Sequence, residues 1–193
     1  MPSKTYNRTE DLVQKIGYPD DTEDEADLQT VLEEAHGQMQ GRVGRNFVED
    51  KRVRKQSGGS TFTSDIINEF NLKFSPLLEF DEILLDEHEV LDSSEYTVDK
   101  QNGTITIDQS YVDENFYLGQ IIRVKYVPIQ FKQAELWRAV EIVKNQELVQ
   151  LEDSEQNALQ RNALREAKRI ENMINRRAGS GNATDGDIRR GTK

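Results

Sequence analysis

Hydrophobic periodicity changes twice along this chain of 193 residues, and that change constrains the fold more than any motif does. Leu28, Val31, Leu32, Ala35 and Met39 recur at helical spacing. From about Val48 the period becomes two, most clearly where Ile122, Val124 and Tyr126 alternate with Arg123 and Lys125 before Pro128. Helical spacing then returns in Phe131, Leu136, Trp137, Val140, Val143 and Leu148, and again in Leu159, Ala163, Ala167, Ile170 and Ile174. The pattern predicts an α+β fold. Residues 1–47 supply the N-terminal helices of a helical bundle, 48–127 an inserted antiparallel β-rich subdomain of five or six strands, and 128–178 the helices that complete the bundle. Residues 179–193, polar and glycine-rich, form a flexible basic C-terminal tail.

Local signals refine this outline. Thr9 is expected to cap a short helix carrying Leu12, Val13 and Ile16, with Gly17 as its stop. The acidic run Asp20–Glu25 opens a second helix, where carboxylates favour the positive N-terminal end. Gly37 and Gly41 cost that helix about 1 kcal/mol each, so they mark a fraying end or a close backbone approach. Gly44 ends it. In the β region, Val48–Gln56 reads as a strand, 57–60 as a hairpin tip and 61–63 as its return, with a further strand beginning at Ile83 and Leu85. Asn102-Gly103 predicts a two-residue type I′ turn that sets Val98 opposite Ile107. Trp137 is the expected large core anchor, and Gly179-Ser180-Gly181-Asn182 the stop of the last helix.

The composition narrows function. Zero cysteines exclude thiolate catalysis and cysteine-ligated zinc, and only His36 and His88 are present, on unlike segments. Neither an apolar membrane span nor a signal-peptide core is expected. The glycine-rich stretches match no phosphate loop, the acidic run lacks the central glycine of a calcium loop, and no nucleophile–base set stands out. Three Asn-x-Thr sequons lack a secretory context. We therefore expect a soluble protein that is not an enzyme and has no cofactor.

Charge is distributed unevenly. The net charge of −11 divides into −7 for residues 1–50, −6 for 51–130, −3 for 131–160 and +5 for 161–193. Two cationic groups stand out against the acidic body. Lys51, Arg52, Arg54 and Lys55 form a phosphate or partner patch, or a charged edge strand that blocks aggregation. Arg176 and Arg177 suit a helix C-terminus, whereas Arg189 and Arg190 do not follow from the dipole and suggest a docking tail. The acid enrichment also suits a high-salt host.

The order of elements resembles the head–tail connector (adaptor) proteins of tailed double-stranded DNA viruses. The resemblance rests on Asp27 through Met39, Gly44-Arg45-Asn46-Phe47, Ser75-Pro76-Leu77-Leu78, Glu95-Tyr96-Thr97-Val98-Asp99, Asn102-Gly103-Thr104-Ile105 and Arg123-Val124-Lys125-Tyr126. It covers roughly residues 8–150, and the chain departs from it at 48–70 and 155–193. It implies a structural virion protein at the neck, assembled in the host cytoplasm, as a ring commonly of twelve copies beneath the portal protein. Such a ring extends the channel for genomic double-stranded DNA, without sequence-specific binding, and carries the next neck or tail-completion protein. Arg176, Arg177, Arg189 and Arg190 would then be portal-docking anchors. The alternatives are a head-closure stopper or tail-completion protein, and a nucleic-acid-binding accessory protein using Lys51–Lys55 and the tail.

Overall fold

A computed structural model of the chain describes residues 5–16, 25–54, 66–86, 88–145 and 153–182. Helices and antiparallel sheets both occur, so the fold is α+β. The chain divides into two compact units. The first comprises Met1–Arg45 and Gln130–Arg176, and the second Asn46–Ile129 and Arg177–Lys193.

In the first unit, α1 spans Thr9–Ile16 and α2 Glu25–Val43. Thr9 lies inside α1 rather than capping it. The start is held instead by Asp11, whose carboxylate accepts from the Arg8 N–H at 3.0 Å. The apolar stripe of α2 is buried as its spacing requires, with Leu28, Val31, Leu32, Ala35 and Met39 all at 5% exposure or less. Gly44, at φ 83°, terminates α2 through its N–H to the Gln40 carbonyl, 2.9 Å. Among the described residues, nothing beyond their own stretch of helix lies within 4 Å of a Cβ built at Gly37 or Gly41, so no close backbone approach is seen at either glycine.

Helix α4 spans Ile129–Asn145 and α5 Asp153–Asn182. The core joins Leu12 and Ile16 of α1 and the α2 stripe to Ala139, Val140 and Val143 of α4 and Ala163 of α5. Trp137 is only partly buried at the margin of this core, with the Lys15 ammonium 4.1 Å from its ring centroid. Phe131, Val140 and Val143 of the expected stripe are buried, and they share the interior of α4 with Ala134, Glu135, Arg138, Ala139 and Ile142, two of them polar residues that apolar spacing does not reveal. Helix α5 does not stop at Gly179. It continues through Gly181 to Asn182, since glycine weakens a helix by only about 1 kcal/mol per residue and does not forbid its dihedrals. The acidic run through Asp24, Gly17, Leu148 and the tail beyond Asn182 lie outside the described residues.

The second unit holds two antiparallel sheets. The strands are β1 (Phe47–Arg52), β2 (Glu69–Asn71), β3 (Leu77–Leu85), β4 (Glu89–Val90), β5 (Tyr96–Asp99), β6 (Thr104–Ile107) and β7 (Ile121–Pro128). One sheet has the order β1-β7-β3-β4 and the other β2-β6-β5. Ile122, Val124 and Tyr126 are buried and Pro128 closes β7, as their alternation predicts. Strand β1 is shorter than expected and pairs with β7, Phe47 opposite Tyr126. The expected hairpin tip and return at 57–63 lie outside the described residues.

Three expectations are corrected here. Ile83 and Leu85 end β3 rather than begin it. Register shifts between Leu77 and Glu79 and between Phe80 and Glu82 break the alternation that would have revealed its first half. The β5–β6 hairpin sets Val98 opposite Ile105, not Ile107, leaving Lys100–Gly103 as a four-residue loop. The Asp99 carboxylate builds that loop by accepting from the backbone N–H groups of Gln101 and Asn102, both at 3.0 Å, and from Asn102 Nδ2 at 2.7 Å. Third, a helix α3 (Gln109–Asn115), burying Val112, stands in a stretch with no expected element.

Candidate partner-binding cleft

Alternation along β1 separates its side chains by function. Phe47 and Glu49 are buried, at 2% and 1% exposure, while Val48 faces solvent. Glu49 is held there by two donors and an ion pair: its Oε2 accepts from the Tyr126 hydroxyl and the Lys73 N–H, both at 2.9 Å, and the Lys51 ammonium lies 2.5 Å from its Oε1. Burial, followed by the adjacent Glu49 carboxylate, pushes the Tyr126 phenol far above its ordinary range, so it acts as a fixed donor.

A cleft of about 320 Å³ lies between the end of β1 and β2. Asp50, Lys51, Arg52 and Arg54 line one wall, and Ile67, Glu69, Phe70 and Asn71 the other. Asp50 is held by Arg123 through a bidentate pair, Nε to Oδ1 at 2.8 Å and a terminal nitrogen to Oδ2 at 3.1 Å. Lys51 also donates to the Asn71 carbonyl. Of the predicted cationic patch, Lys51 is thus engaged within the fold, Arg52 and Arg54 are exposed on either side of buried Val53, and Lys55 lies outside the described residues.

The turn before β7 borders the same end of the sheet. Val53 donates its N–H to the Gln120 carbonyl at 2.9 Å and accepts from the Gly119 N–H at 3.1 Å. Gly119 has φ 89°, a conformation that suits glycine. Asp86, itself at φ 47°, accepts from the Tyr117 hydroxyl and from Gln120 Nε2, each at 3.0 Å. Tyr117 and Leu118 are left exposed beside Arg52 and Arg54. Sequence reasoning missed these two, although large apolar residues next to a glycine in a polar stretch are a readable signal.

Of the four predicted C-terminal cations, the described residues include Arg176 and Arg177. Arg176 is exposed on α5. Arg177 donates to the Lys73 carbonyl at 2.7 Å and sets its guanidinium 4.6 Å from the Phe74 ring centroid, while Lys73 Nζ reaches the Arg177 carbonyl at 3.2 Å. Arg177 is therefore an internal fastening of the second unit. Arg189 and Arg190 lie outside the described residues.

Two buried polar groups in the first unit also escaped the sequence. Glu135, fully buried, accepts from the Asn7 N–H at 2.8 Å, from Asn7 Nδ2 at 2.9 Å and from the Tyr6 N–H at 3.0 Å, and its Oε2 lies 2.6 Å from His36 Nδ1. This carboxylate staples residues 6 and 7 to α2 and α4. Arg138 pairs with Glu171 and Glu141. The charged groups of both sets are engaged internally, while the buried Oδ1 of Asn7 has no hydrogen-bond partner among the described residues. Among the described residues, no three His, Asp or Glu side chains gather as a metal site requires, and no helix is long and apolar enough to cross a membrane. No family model matches the chain, and no curated protein matches it.

Proposed function

We propose that this protein is a structural subunit of the neck of a tailed double-stranded DNA virus. It is a head–tail adaptor whose copies form a ring beneath the portal, extend the DNA channel and seat the next neck or tail-completion protein. The reading is carried by the succession of elements: α1 and α2, then a β-rich stretch from Asn46 to Ile129 that includes the β5–β6 hairpin, then α4. The adaptor resemblance implies the same succession, and in this reading the β-rich stretch is an insertion into a helical bundle. The net charge of −11 suits it physically, because cations lining a DNA channel would bind phosphate and add drag.

The test is co-assembly. Purified protein mixed with the portal of the same virus should give a ring-on-ring complex by electron microscopy, and antibody labelling of virions should mark the head–tail vertex. Absence from purified virions, or labelling elsewhere on the particle, would overturn the proposal. Binding only after another neck ring is in place would reassign the chain as a stopper.

A further inference from the structure

We propose that Asn102 is a modification site at which the chain deamidates itself, and that the Lys100–Gly103 loop holds the reaction in check while it stays closed. The inference stands apart from the adaptor reading and needs no reactant other than water.

Of the asparagines in the sequence, Asn102 is the one followed by glycine. That neighbour matters chemically, because glycine has no Cβ to shield its backbone nitrogen and rotates freely in an unconstrained chain. After losing its proton to hydroxide, the Gly103 nitrogen attacks Asn102 Cγ. The N–Cγ bond forms, the Cγ–Nδ2 bond breaks, and Nδ2 takes a proton from water and departs as ammonia. Water then opens the cyclic imide at either carbonyl, giving aspartate or isoaspartate. Nothing is oxidised or reduced. Asn102 is exposed, so water and hydroxide reach its side chain.

The closed loop opposes each part of that reaction. The Gly103 N–H donates to the Asp99 carbonyl at 2.8 Å, which keeps the attacking nitrogen protonated and engaged. Asn102 Nδ2 donates to Asp99 Oδ2 at 2.7 Å and the Asn102 N–H to Oδ1 at 3.0 Å, so the carboxamide is drawn back toward residue 99. The Asp99 carboxylate also sets a negative charge near the carbon on which the tetrahedral intermediate places its own. Gly103 is hemmed in as well. A Cβ built on it meets the Phe74 carbonyl oxygen at 2.9 Å and Ser75 Cβ at 3.0 Å. Its carbonyl accepts from the Leu72 N–H at 2.8 Å, and the Lys100 carbonyl accepts from the Leu77 N–H at 2.8 Å. Cyclisation therefore waits for local opening of the loop, and its rate follows the open fraction.

The product undoes the restraint. An aspartate at 102 lacks the Nδ2 donor and brings a further carboxylate against Asp99. An isoaspartate adds a methylene to the main chain inside the hairpin that pairs Asp99 with Thr104. Because the ammonia is lost to solvent, the change accumulates with each opening and is not reversed on closing.

To test this, the full chain is incubated at mildly alkaline pH in heavy-oxygen water, native or in concentrated guanidinium chloride, and its peptides are mapped by mass spectrometry. In denaturant, Asn102 should gain a labelled carboxyl faster than any other asparagine, and Gly103→Ala should slow it several-fold. In the native chain the reaction at Asn102 should run at least about tenfold slower, because the bonds that close the loop must break first. Asp99→Ala should bring the native rate most of the way to the denatured one and leave the denatured rate unchanged, with circular dichroism checking the fold. Asp99→Asn retains an acceptor for the loop amides and gives a second reading should the alanine variant unfold; it should speed the native reaction by a smaller factor. Equal native and denatured rates, a native rate indifferent to both Asp99 variants, an Asp99 effect that persists in denaturant, or another asparagine leading in denaturant would each overturn the proposal.

Discussion

Arg138 grips Glu171 with two parallel hydrogen bonds, Nε to Oε1 at 2.6 Å and a terminal nitrogen to Oε2 at 2.7 Å, with side chains only 2% and 5% exposed. Glu141 takes a third bond from the same guanidinium at 2.7 Å. Removing one partner strands a buried charge, which typically costs about 3–5 kcal/mol, whereas replacing both by apolar groups is nearly neutral. Arg138→Met should therefore lower unfolding free energy by about 3 kcal/mol, and Arg138→Met/Glu171→Leu should recover most of the loss. Urea titrations followed by circular dichroism read both. Equal destabilisation by the single and double variants would contradict the account.

Two glycines should respond oppositely to alanine. Gly103 has φ 68°, and an added Cβ would meet the Phe74 carbonyl oxygen at 2.9 Å, so Gly103→Ala should destabilise by about 1–3 kcal/mol. Gly37 lies within α2 with nothing near its Cβ position, so Gly37→Ala should stabilise by about 0.5–1 kcal/mol. Thermal melts of the two variants should move to either side of the parent.

The Asp99 loop gives a pH signature. Backbone N–H donation from Asn102, then the Asn102 side chain, holds the Asp99 carboxyl below its ordinary value. A depressed folded pKa contributes stability above the unfolded value of about 3.9, and that contribution is lost as pH falls through the lower folded value. Asp99→Ala should therefore be less stable than the parent at neutral pH, with the gap narrowing only below about pH 4. Denaturant midpoints across that range check the sign, and a gap that widened with acid would refute it.

Glu135→Ala should release the N-terminal segment before it unfolds the rest. Its carboxylate is the shared acceptor for the Tyr6 and Asn7 amides, so hydrogen exchange at those two amides should accelerate most. The expected loss of global stability is about 3 kcal/mol. Uniform acceleration across α2 and α4 would show that Glu135 supports the whole unit and not the segment.

What could be read from the sequence depended on whether an element kept its period. Helix α2 and strand β7 did, and every apolar residue that their spacing singled out is buried, though His36 and Val127, off those patterns, are buried too. Helix α4 showed part of its inward stripe in Phe131, Val140 and Val143, but Glu135 and Arg138, which share it, carry no apolar signal, and Trp137 proved marginal. Strand β3 concealed its start behind two register shifts. The hairpin register was off by two residues, a slip that keeps every side chain on its own face and so leaves no trace in the alternation. At the cleft, the density of cations was visible in Lys51–Lys55. That Lys51 turns onto Glu49 while Arg52 and Arg54 face out was not, because the burial of Glu49 depends on Tyr126 and Lys73, distant in sequence.

The pairing of Phe47 with Tyr126 brings the two ends of the Asn46–Ile129 segment close together. Strands bonded in this way run about 5 Å apart, so the chain enters and leaves this stretch at neighbouring points. A brief glycine–serine bridge from Arg45 to Gln130 can then stand in for the whole segment without stretching the backbone. Insertions, swaps and fusions at that junction leave the helical ends of the chain with the same geometry to satisfy. A junction of that kind is a natural place to graft another segment whose ends lie equally close.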